Sequence, residues 1–339
     1  MTDSSYDPVK DAHDMGQLPI PGLFDGFAVL GVATRRVRFA GVMGGKGPPV
    51  LLLHGYPETH AAWHEVAPTL AKHHTVVVPD LPGYGRSLLT DAGAWDKREV
   101  AAELVAMMRH LGHERFHVVG HDRGARVGYR LALDHASHVS SFCPMAVVPI
   151  LDIWPAVDRE FAKGAFHWFF FLQSSGLVEK LLAADPDAFL DATLTHMAGS
   201  LDKLHPAALA DYRAAFRRPS VRAAMIKDYQ AADGADAAYD AADRAAGWTL
   251  SCPVLVFWPE ERLVAEGVGG GAITAVDVWR RWAADVSGIR VRCGHLVPEH
   301  AASEVVQAIL PFFEVVTARG QGAVGHVGWN LRIGCMADT

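Results

Sequence analysis

The stretch Phe116-His117-Val118-Val119-Gly120-His121-Asp122-Arg123-Gly124 decides the fold of this chain, and a helical pattern follows it directly. Its first half is short, apolar and rich in Val, which is typical of a strand that is buried on both faces of a parallel sheet. The two glycines allow a tight turn that closely approaches neighbouring elements. This strand–turn–helix unit has the G-x-S-x-G spacing of a nucleophile elbow, with Asp122 in place of Ser. The alternative is that Asp122 merely caps the following helix.

The alternation of strand and helix continues on both sides of this unit. Short apolar runs predict further buried strands at 49–55, 75–80, 253–258 and 289–292. Amphipathic patterns predict helices between and after these strands, at 97–111, 276–284 and 299–315. A chain that alternates in this way is predicted to form an α/β fold with a doubly wound, mostly parallel sheet.

One long segment interrupts the alternation. Residues 150–249 lack the strand pattern and are rich in Ala and aromatic residues. We therefore predict a helical cap that is inserted into one α/β core, with the core formed by 27–149 and 250–316. Polar residues 1–26, punctuated by prolines, are predicted to form an arm on the surface. The Gly-rich residues 317–339 are predicted to form a flexible tail.

Composition and charge limit the classes of function. The chain has 339 residues, half of them apolar, and its 31 Lys and Arg against 38 Asp and Glu give a formal charge of −7. A diffuse acidic balance argues against nucleic acid or an anionic membrane as the main partner. The N-terminus lacks the pattern of a signal peptide, and the cysteines show no CxxC spacing. We expect a cytoplasmic protein with no metal site, no cofactor and separate thiols at Cys143, Cys252, Cys293 and Cys335.

An Asp at the elbow changes the chemistry that the turn can carry out. A carboxylate is a poor acyl nucleophile, but it can displace a leaving group from a saturated carbon and form an alkyl–enzyme ester. A base must then activate water to hydrolyse that ester, and His295, after the last predicted strand, occupies the place for it. The backbone N–H groups of Tyr56 and Arg123 are candidates for the oxyanion hole.

Several motifs of this chain resemble those of the fluoroacetate (haloacetate) dehalogenases, a family with the α/β-hydrolase fold. They span residues 20–315, and the spacing from the elbow to the aromatic pair in the cap carries over without a gap. The motifs are Gly120–Arg126, Tyr129–Asp134, His54–His60 with Trp63-His64, His167-Trp168, Lys227–Tyr229, Asp277–Trp279, and Gly294-His295 with Pro298-Glu299.

The resemblance implies a role for each matching residue. Asp122 would be the nucleophile, and Arg123 and Arg126 would hold the substrate carboxylate. Positions i and i+3 share one face of a helix, and Arg pairs with carboxylates through two parallel hydrogen bonds. Aromatic residues in a cap usually pack, but the resemblance implies a halide pocket formed by His167, Trp168 and Tyr229.

The implied function is a cofactor-free hydrolytic dehalogenase of short 2-haloacids. The partner expected is a small halogenated carboxylate, together with a second copy of the chain if the protein is a homodimer. Because Arg carries a permanent positive charge, two of them on one helical turn favour an anionic substrate despite the negative charge of the whole chain.

The sequence departs from this family at one position. The triad acid of the family lies 24 residues beyond the nucleophile, where this chain has Ala146. An alanine cannot hold the imidazole of His295 or stabilise its charged form, and loss of the acid from a serine triad costs about 10⁴ in rate. Three interpretations remain: Glu260 or Glu261 after the next strand replaces the acid, Asp152 replaces it, or the second half-reaction is impaired.

Two other functions fit part of the pattern. An epoxide hydrolase, or another hydrolase with an Asp nucleophile, shares the elbow and the loop His54–Pro57, and it would use Tyr229 with Tyr212 to protonate the opening oxygen. Two buried arginines, Arg123 and Arg126, argue against a neutral epoxide. From another class, a non-catalytic protein that binds small carboxylates would keep both arginines and could lose the acid.

Overall fold

A β-sheet forms the centre of the described part of the chain, which in this computed structural model comprises residues 17–90, 95–173, 176–259, 265–266 and 272–320. Its strand order is β1-β2-β4-β3-β6-β7-β8-β11, and β5 pairs with β2, while β9 and β10 form a separate two-stranded ladder. The strands are β1 (Ala28–Ala33), β2 (Val37–Gly44), β3 (Pro49–Leu53), β4 (Thr75–Pro79), β5 (Leu88–Leu89), β6 (Phe116–His121), β7 (Val139–Met145), β8 (Val254–Pro259), β9 (Ala265–Glu266), β10 (Ala272–Ile273) and β11 (Val286–Val291).

The strands from β4 to β11 across this sheet are parallel to one another, whereas β1 and β2 add to one edge in antiparallel pairing. Every residue of β6 is buried, and only the first residue of β3 and of β4 is partly exposed. This burial is expected for apolar strands that are covered on both faces. The predicted doubly wound, mostly parallel sheet is therefore confirmed.

The strand order reverses beside β3. From β3 the chain passes to β4 on one side and later to β6 on the other. In open α/β sheets, ligands bind at the carboxyl ends of the strands at such a reversal. Here those ends are Leu53 in β3 and His121 in β6, so the loop after Leu53 and the turn at Asp122 meet at this point.

Helices flank the sheet on the path between its strands. The predicted helix at 97–111 is confirmed as Lys97–His110, and it begins after Asp96, whose side chain accepts a hydrogen bond from the Glu99 N–H. The helices are α1 (Val66–Leu70), α2 (Lys97–His110), α3 (Arg123–Asp134), α4 (Ile150–Ile153), α5 (Arg159–Gly164), α6 (Phe166–Phe171), α7 (Leu177–Ala184), α8 (Pro186–Ala198), α9 (Pro206–Phe216), α10 (Pro219–Asp233), α11 (Ala235–Ala245), α12 (Ala275–Trp279), α13 (Val297–His300) and α14 (Ala302–Gly320).

The helices from α4 to α11 lie between β7 and β8, and residues 150–249 are called the helical insertion below. Buried polar contacts join it to α3. Arg130 donates hydrogen bonds to Asp240 (3.0 Å) and Asp243 (2.6 Å), and the Tyr129 hydroxyl donates to Asp240 (2.7 Å). Because removing one partner of such a pair would leave a buried charge uncompensated, these contacts fix the insertion against the helix that begins at the elbow.

Some predicted boundaries differ from the observed ones. The helix expected at 276–284 comprises only Ala275–Trp279. The chain turns after Trp279, and Ala283 then forms an isolated parallel β-bridge with Leu250. The helix expected at 299–315 is divided into α13 and α14.

The two ends of the chain also differ from expectation. Helix α14 continues to Gly320, so the tail predicted from residue 317 begins inside a helix, and 321–339 lie outside the described residues. In the part of the predicted arm that is described, Ile20, Leu23 and Phe24 are buried in the core, so this part is packed and not only laid on the surface. Of the helices in the described ranges, none has the length and apolar character that crossing a bilayer requires.

Candidate active site

The turn at Asp122 has the backbone of a strained elbow. Asp122 adopts φ 45° and ψ −114°, and its N–H donates to the carbonyl of Met145 at the end of β7 (3.2 Å). A Cβ on Gly124 would lie 2.3 Å from the carbonyl oxygen of Leu53, which no side chain tolerates. The glycine therefore lets α3 pack closely on β3, and the Asp122 side chain is held at the carboxyl ends of the strands.

The loop after β3 brings a backbone donor to this carboxylate. The Tyr56 N–H donates to Asp122 Oδ1 (3.1 Å). A Cβ on Gly55 would lie 2.7 Å from the Cβ of Asp122, so a glycine is needed for this approach. The second predicted oxyanion donor, the N–H of Arg123, belongs to the first residue of α3, where backbone N–H groups have no partner within the helix.

His295 lies on the other side of Asp122, in the loop between β11 and α13. Its ring Nε2 is 3.5 Å from Asp122 Oδ2. Its backbone N–H donates to the carbonyl of Met197 in the helical insertion (3.2 Å). Burial alone would raise the pKa of Asp122, but hydrogen bonding to His295 and the nearby positive charges outweigh burial and hold that pKa well below its usual range. The carboxylate is thus kept ionised and within reach of a candidate base.

Arg123 is fixed by a carboxylate of the helical insertion. Its Nε donates to Asp228 Oδ2 (2.5 Å) and its Nη2 to the Asp228 carbonyl (2.7 Å), while its Cζ lies 4.3 Å above the ring of Tyr229. Burial lowers the pKa of Arg123, but Asp228 more than compensates and the net shift is upward. Asp228 also accepts from Lys97 and from the Tyr84 hydroxyl. The guanidinium is therefore held in one orientation.

Arg126, one turn further along α3, is compensated much less. It is buried, its Nη1 donates to the carbonyl of Val148 (3.2 Å), and its Cζ lies 5.0 Å from the centre of the Trp168 ring. No carboxylate pairs with it within the described residues. Burial and the neighbouring charge of Arg123 both lower the pKa of Arg126. A buried cation without an anionic partner is costly, so this position favours a bound anion.

The three predicted halide-binding residues form one buried aromatic cluster. A hydrogen bond of 3.1 Å joins His167 Nε2 to the Tyr229 hydroxyl, and the Trp168 and Tyr229 ring centres are 5.6 Å apart. Tyr56 stacks on His167 with ring centres at 5.1 Å, which connects the cluster to the loop at the nucleophile. Burial lowers the pKa of His167 to about 3, so this ring is neutral at pH 7.

Three residues are predicted as replacements for the triad acid, and only Asp152 of these lies within the described residues. Ala146, at φ 58°, donates its N–H to the carbonyl of Phe257 and carries no polar side chain. Glu260 and Glu261 lie outside the described residues. The proposal of Asp152 is wrong, because its carboxylate is bound in a cluster of its own with Arg244 (2.7 Å), Arg281 (3.1 Å) and Trp282 (2.6 Å).

Two charged contacts of the site are not predicted by the sequence pattern. One is the pair of Asp228 with Arg123, and the other is a buried pair of Glu58 with His121, which are 2.9 Å apart. The position of Asp228 beside Tyr229 was a signal for the first, since a carboxylate next to a site residue commonly orients a neighbour. In the described ranges, no three His, Cys, Asp or Glu side chains are grouped so that they could hold a metal ion.

Comparison with known proteins agrees with this geometry. A family model described as the alpha/beta hydrolase fold matches residues 48–311. The chain belongs to the alpha/beta hydrolase fold family. Members of this family differ in the residue at the elbow, and that residue limits the class of reaction. This chain carries Asp122 there and not Ser, so its named relatives help to identify its reaction.

Fluoroacetate dehalogenases and epoxide hydrolases are both among the relatives of this alpha/beta hydrolase. The chain is 39% identical to a fluoroacetate dehalogenase from Burkholderia sp. over 240 residues, which cover 69% of this chain and 78% of the relative. It is 27% identical to a soluble epoxide hydrolase from Corynebacterium sp. (strain C12), with coverage of 80% and 92%. Solved structures of a Pseudomonas aeruginosa protein assigned provisionally to the epoxide hydrolases, one with bound MFA, are 47% identical with a TM-score of 0.83, covering 87% of this chain and 98% of theirs.

Proposed function

We propose that this alpha/beta hydrolase removes halide from short 2-haloacids by way of an ester on Asp122. The observation that carries the proposal is the buried guanidinium of Arg126, which no carboxylate neutralises within the described residues. A small carboxylate would supply that missing charge and would form strong, charge-assisted hydrogen bonds with Arg126 and Arg123. The 39% identity to a fluoroacetate dehalogenase supports the same substrate class.

The first step is a displacement at the carbon that bears the halogen. A carboxylate oxygen of Asp122 attacks this carbon from the side opposite the halogen, so that a C–O bond forms while the C–halogen bond breaks. The halide leaves with the electron pair, and it is received by the polar atoms of His167, Trp168 and Tyr229. Because Asp122 is held in its ionised form, no proton has to move before this step.

The second step hydrolyses the ester. His295 accepts a proton from water, and the water oxygen attacks the carbonyl carbon of the Asp122 ester. The N–H groups of Tyr56 and Arg123 stabilise the oxyanion that forms. The C–O bond to the alkyl group's oxygen then breaks at the carbonyl carbon, the leaving alkoxide takes the proton from His295, and a 2-hydroxy acid is released. Asp122, now a carboxylic acid, loses its proton to solvent.

The alanine at position 146 bears on this second step. The displacement requires Asp122 and the arginines, whereas hydrolysis requires His295 to bear a positive charge for a moment, which a carboxylate would stabilise. We expect the ester to accumulate during turnover unless Glu260 or Glu261 supplies that carboxylate. Exchange of each for Gln would then slow hydrolysis of the ester, and the absence of an effect from both would exclude a relocated acid at these positions.

The test is a halide-release assay with fluoro-, chloro- and bromoacetate. The wild type is expected to release halide from at least one of them, and Asp122→Asn is expected to release none. Intact-protein mass spectrometry of quenched samples would show a carboxymethyl group on the wild-type chain and none on the variant. Absence of halide from all three substrates would contradict the proposal.

Epoxide hydrolysis is the second candidate, because two of the named relatives carry that assignment. The Tyr229 hydroxyl lies in the cluster with His167, but the Tyr212 hydroxyl donates to Glu299 Oε1 (2.9 Å), which commits it elsewhere. Arg126→Gln separates the two functions. It should lower kcat/KM for a haloacetate by about 10²-fold and leave the hydrolysis of a neutral epoxide unchanged.

A carboxylate-binding protein without activity is the third outcome of the same assays. Tight binding of chloroacetate by calorimetry, with neither halide release nor a covalent adduct, would establish it.

A further inference from the structure

A buried ion pair of Glu58 and His121 lies behind the nucleophile, and the proposed function does not use it. His121 Nδ1 is 2.9 Å from Glu58 Oε2, and neither side chain is exposed to solvent. His121 directly precedes Asp122, and Glu58 belongs to the loop that carries Tyr56. We infer that this ion pair is a positioning element. It fixes two loops relative to the nucleophile: residues 54–58, called the oxyanion loop, and the loop that carries His295, called the His295 loop.

The geometry favours an imidazolium at His121. Its Nδ1 faces the carboxylate of Glu58, and its Nε2 faces the carbonyl oxygen of His295 at 2.8 Å. Both partners accept hydrogen bonds, and a neutral imidazole has only one N–H to donate. Burial lowers the pKa of His121, but Glu58 more than offsets burial and the net shift is upward. The pair is therefore ionised on both sides.

One oxygen of Glu58 holds the oxyanion loop. Glu58 Oε2 also accepts from the N–H of Gly55 (2.9 Å), and the Glu58 N–H donates to the Gly55 carbonyl (3.1 Å). A Cβ on Gly55 would lie 2.9 Å from His121 Nδ1, so the loop can sit against the ion pair only with a glycine there. Since Tyr56 follows Gly55, these bonds determine where the oxyanion donor points.

The other nitrogen of the same ring holds the loop of the base. The bond from His121 Nε2 ends on the backbone carbonyl of His295, and the centres of the two imidazole rings are 5.0 Å apart. A hydrogen bond from a cation to a backbone carbonyl is stronger than one between neutral groups. Glu58 and His121 thus connect the loop of Tyr56 and the loop of His295 by direct hydrogen bonds, and the chain itself connects His121 to Asp122.

Two anions lie close to the charge of His121: Glu58, which contacts its ring, and Asp122, the next residue. The ionisable groups that act on His121 or feel its charge are Glu58, Asp122, His295, Glu299 and His300. Burial, with the charge of Glu58, raises the pKa of Glu299 to about 8, and Tyr212 donates to its Oε1. Since Asp122 faces His295, Glu58 is the carboxylate in hydrogen-bond contact with the His121 ring.

This inference rests on the proposed function for its kinetic part, and it assigns the pair to one half-reaction. The displacement by Asp122 requires neither the oxyanion donor nor His295, so it should be insensitive to the ion pair. Hydrolysis of the ester requires both. Loss of the ion pair is expected to slow hydrolysis by about tenfold, the size expected for one hydrogen bond to a charged group.

Glu58→Gln is the test, because it keeps the shape of the side chain and removes its charge. The first-turnover release of halide from bromoacetate should stay within about twofold of the wild-type rate, while decay of the Asp122 ester after removal of substrate should slow about tenfold. Asp240→Asn is the matched control, since it removes another buried charge of an ion pair with Arg130. It should leave both rates unchanged.

A spectroscopic measurement tests the charge independently of turnover. In NMR spectra of protein with ¹⁵N-labelled histidine, the signals of the His121 ring are assigned by their loss in His121→Asn. This ring should show two N–H protons in the wild type at neutral pH and one in Glu58→Gln. A single ring N–H in the wild type, equal ester decay in Glu58→Gln and wild type, or equal slowing in Asp240→Asn would each overturn the inference. A wild type that releases no halide would contradict the proposed function, and the histidine signals would still decide the charge of the pair.

Discussion

Two sides of the site adjoin Asp122, and they differ in how fully they are supplied with charged and polar side chains. The α3 side comprises Arg123, Arg126 and the aromatic cluster of His167, Trp168 and Tyr229, and the β7 side comprises His295 and position 146. On the α3 side, Arg123 and Arg126 are buried and held by hydrogen bonds, and the aromatic cluster of the helical insertion packs onto them. On the β7 side, His295 faces Asp122, but Ala146 stands where the resembling family has a carboxylate.

The difference matches the two half-reactions that we propose. Displacement of halide needs an ionised nucleophile, positively charged groups that bind the substrate carboxylate, and polar atoms that receive the leaving group. All of these lie on the α3 side. Hydrolysis of the ester needs a base that can carry a proton, which is the task of the β7 side. Changes on one side should therefore affect mainly one half-reaction.

Exchange of His295 for Gln is the strongest way to separate the two sides. Hydrolysis of the Asp122 ester should slow by about 10³-fold, since general base catalysis contributes 10²–10⁴-fold. Displacement should persist, so the enzyme releases one halide per chain and stops. Halide counting and intact-protein mass spectrometry check this in one experiment. A first-turnover rate of halide release that falls together with the hydrolysis rate would show that His295 serves both sides.

Exchange of Ala146 for Asp tests whether the β7 side lacks only a carboxylate. The backbone at position 146 has φ 58°, a left-handed conformation that Asp adopts more readily than Ala. We expect ester decay to accelerate by about 10²-fold, part of what the acid of a serine triad contributes. Ala146→Asn, which fits the same backbone without a charge, is the control. Equal decay in Ala146→Asp and wild type would indicate that another carboxylate already performs this role.

Loss of the charge of Asp228 should weaken the α3 side without changing the β7 side. Asp228→Asn removes the ion pair that orients Arg123, so KM for bromoacetate should rise about tenfold while the ester, once formed, decays at the wild-type rate. Asp236→Asn is the matched control, because Asp236 pairs with Lys97 but not with Arg123. A similar rise of KM in both variants would mean that stability and not orientation explains the effect.

Local patterns were sufficient to predict the parts of the site that are close in sequence. The turn at Asp122 follows from a Val-rich strand, two glycines and a helix, and Arg123 and Arg126 share a face because they are three residues apart. The order of strands then places the loop of Tyr56 at the same end of the sheet. These are consequences of periodicity and of the geometry of parallel sheets.

Contacts between distant residues could not be predicted in this way. Asp228 and Arg123 are 105 residues apart, and Glu58 and His121 are 63 apart, so only the packed fold brings them together. Proximity in sequence also misled: Asp152 is close to Ala146 along the chain, yet Arg244, Arg281 and Trp282 hold its carboxylate. A buried carboxylate is placed by its cationic partners, which periodicity does not reveal.

The smallest expected effect is the response of the displacement step to pH. The pKa of Asp122 is held well below its usual range, so this nucleophile stays ionised as the pH falls, and the pKa of His167 is lowered to about 3, so its ring stays neutral. Arg123 and Arg126 keep their charge at all these pH values. First-turnover release of halide from bromoacetate should therefore change by less than about twofold between about pH 5 and about pH 8, as measured by rapid quench. A loss of the rate on acidification through about pH 6 would mean that a histidine on the α3 side, contrary to its burial, gains a proton there.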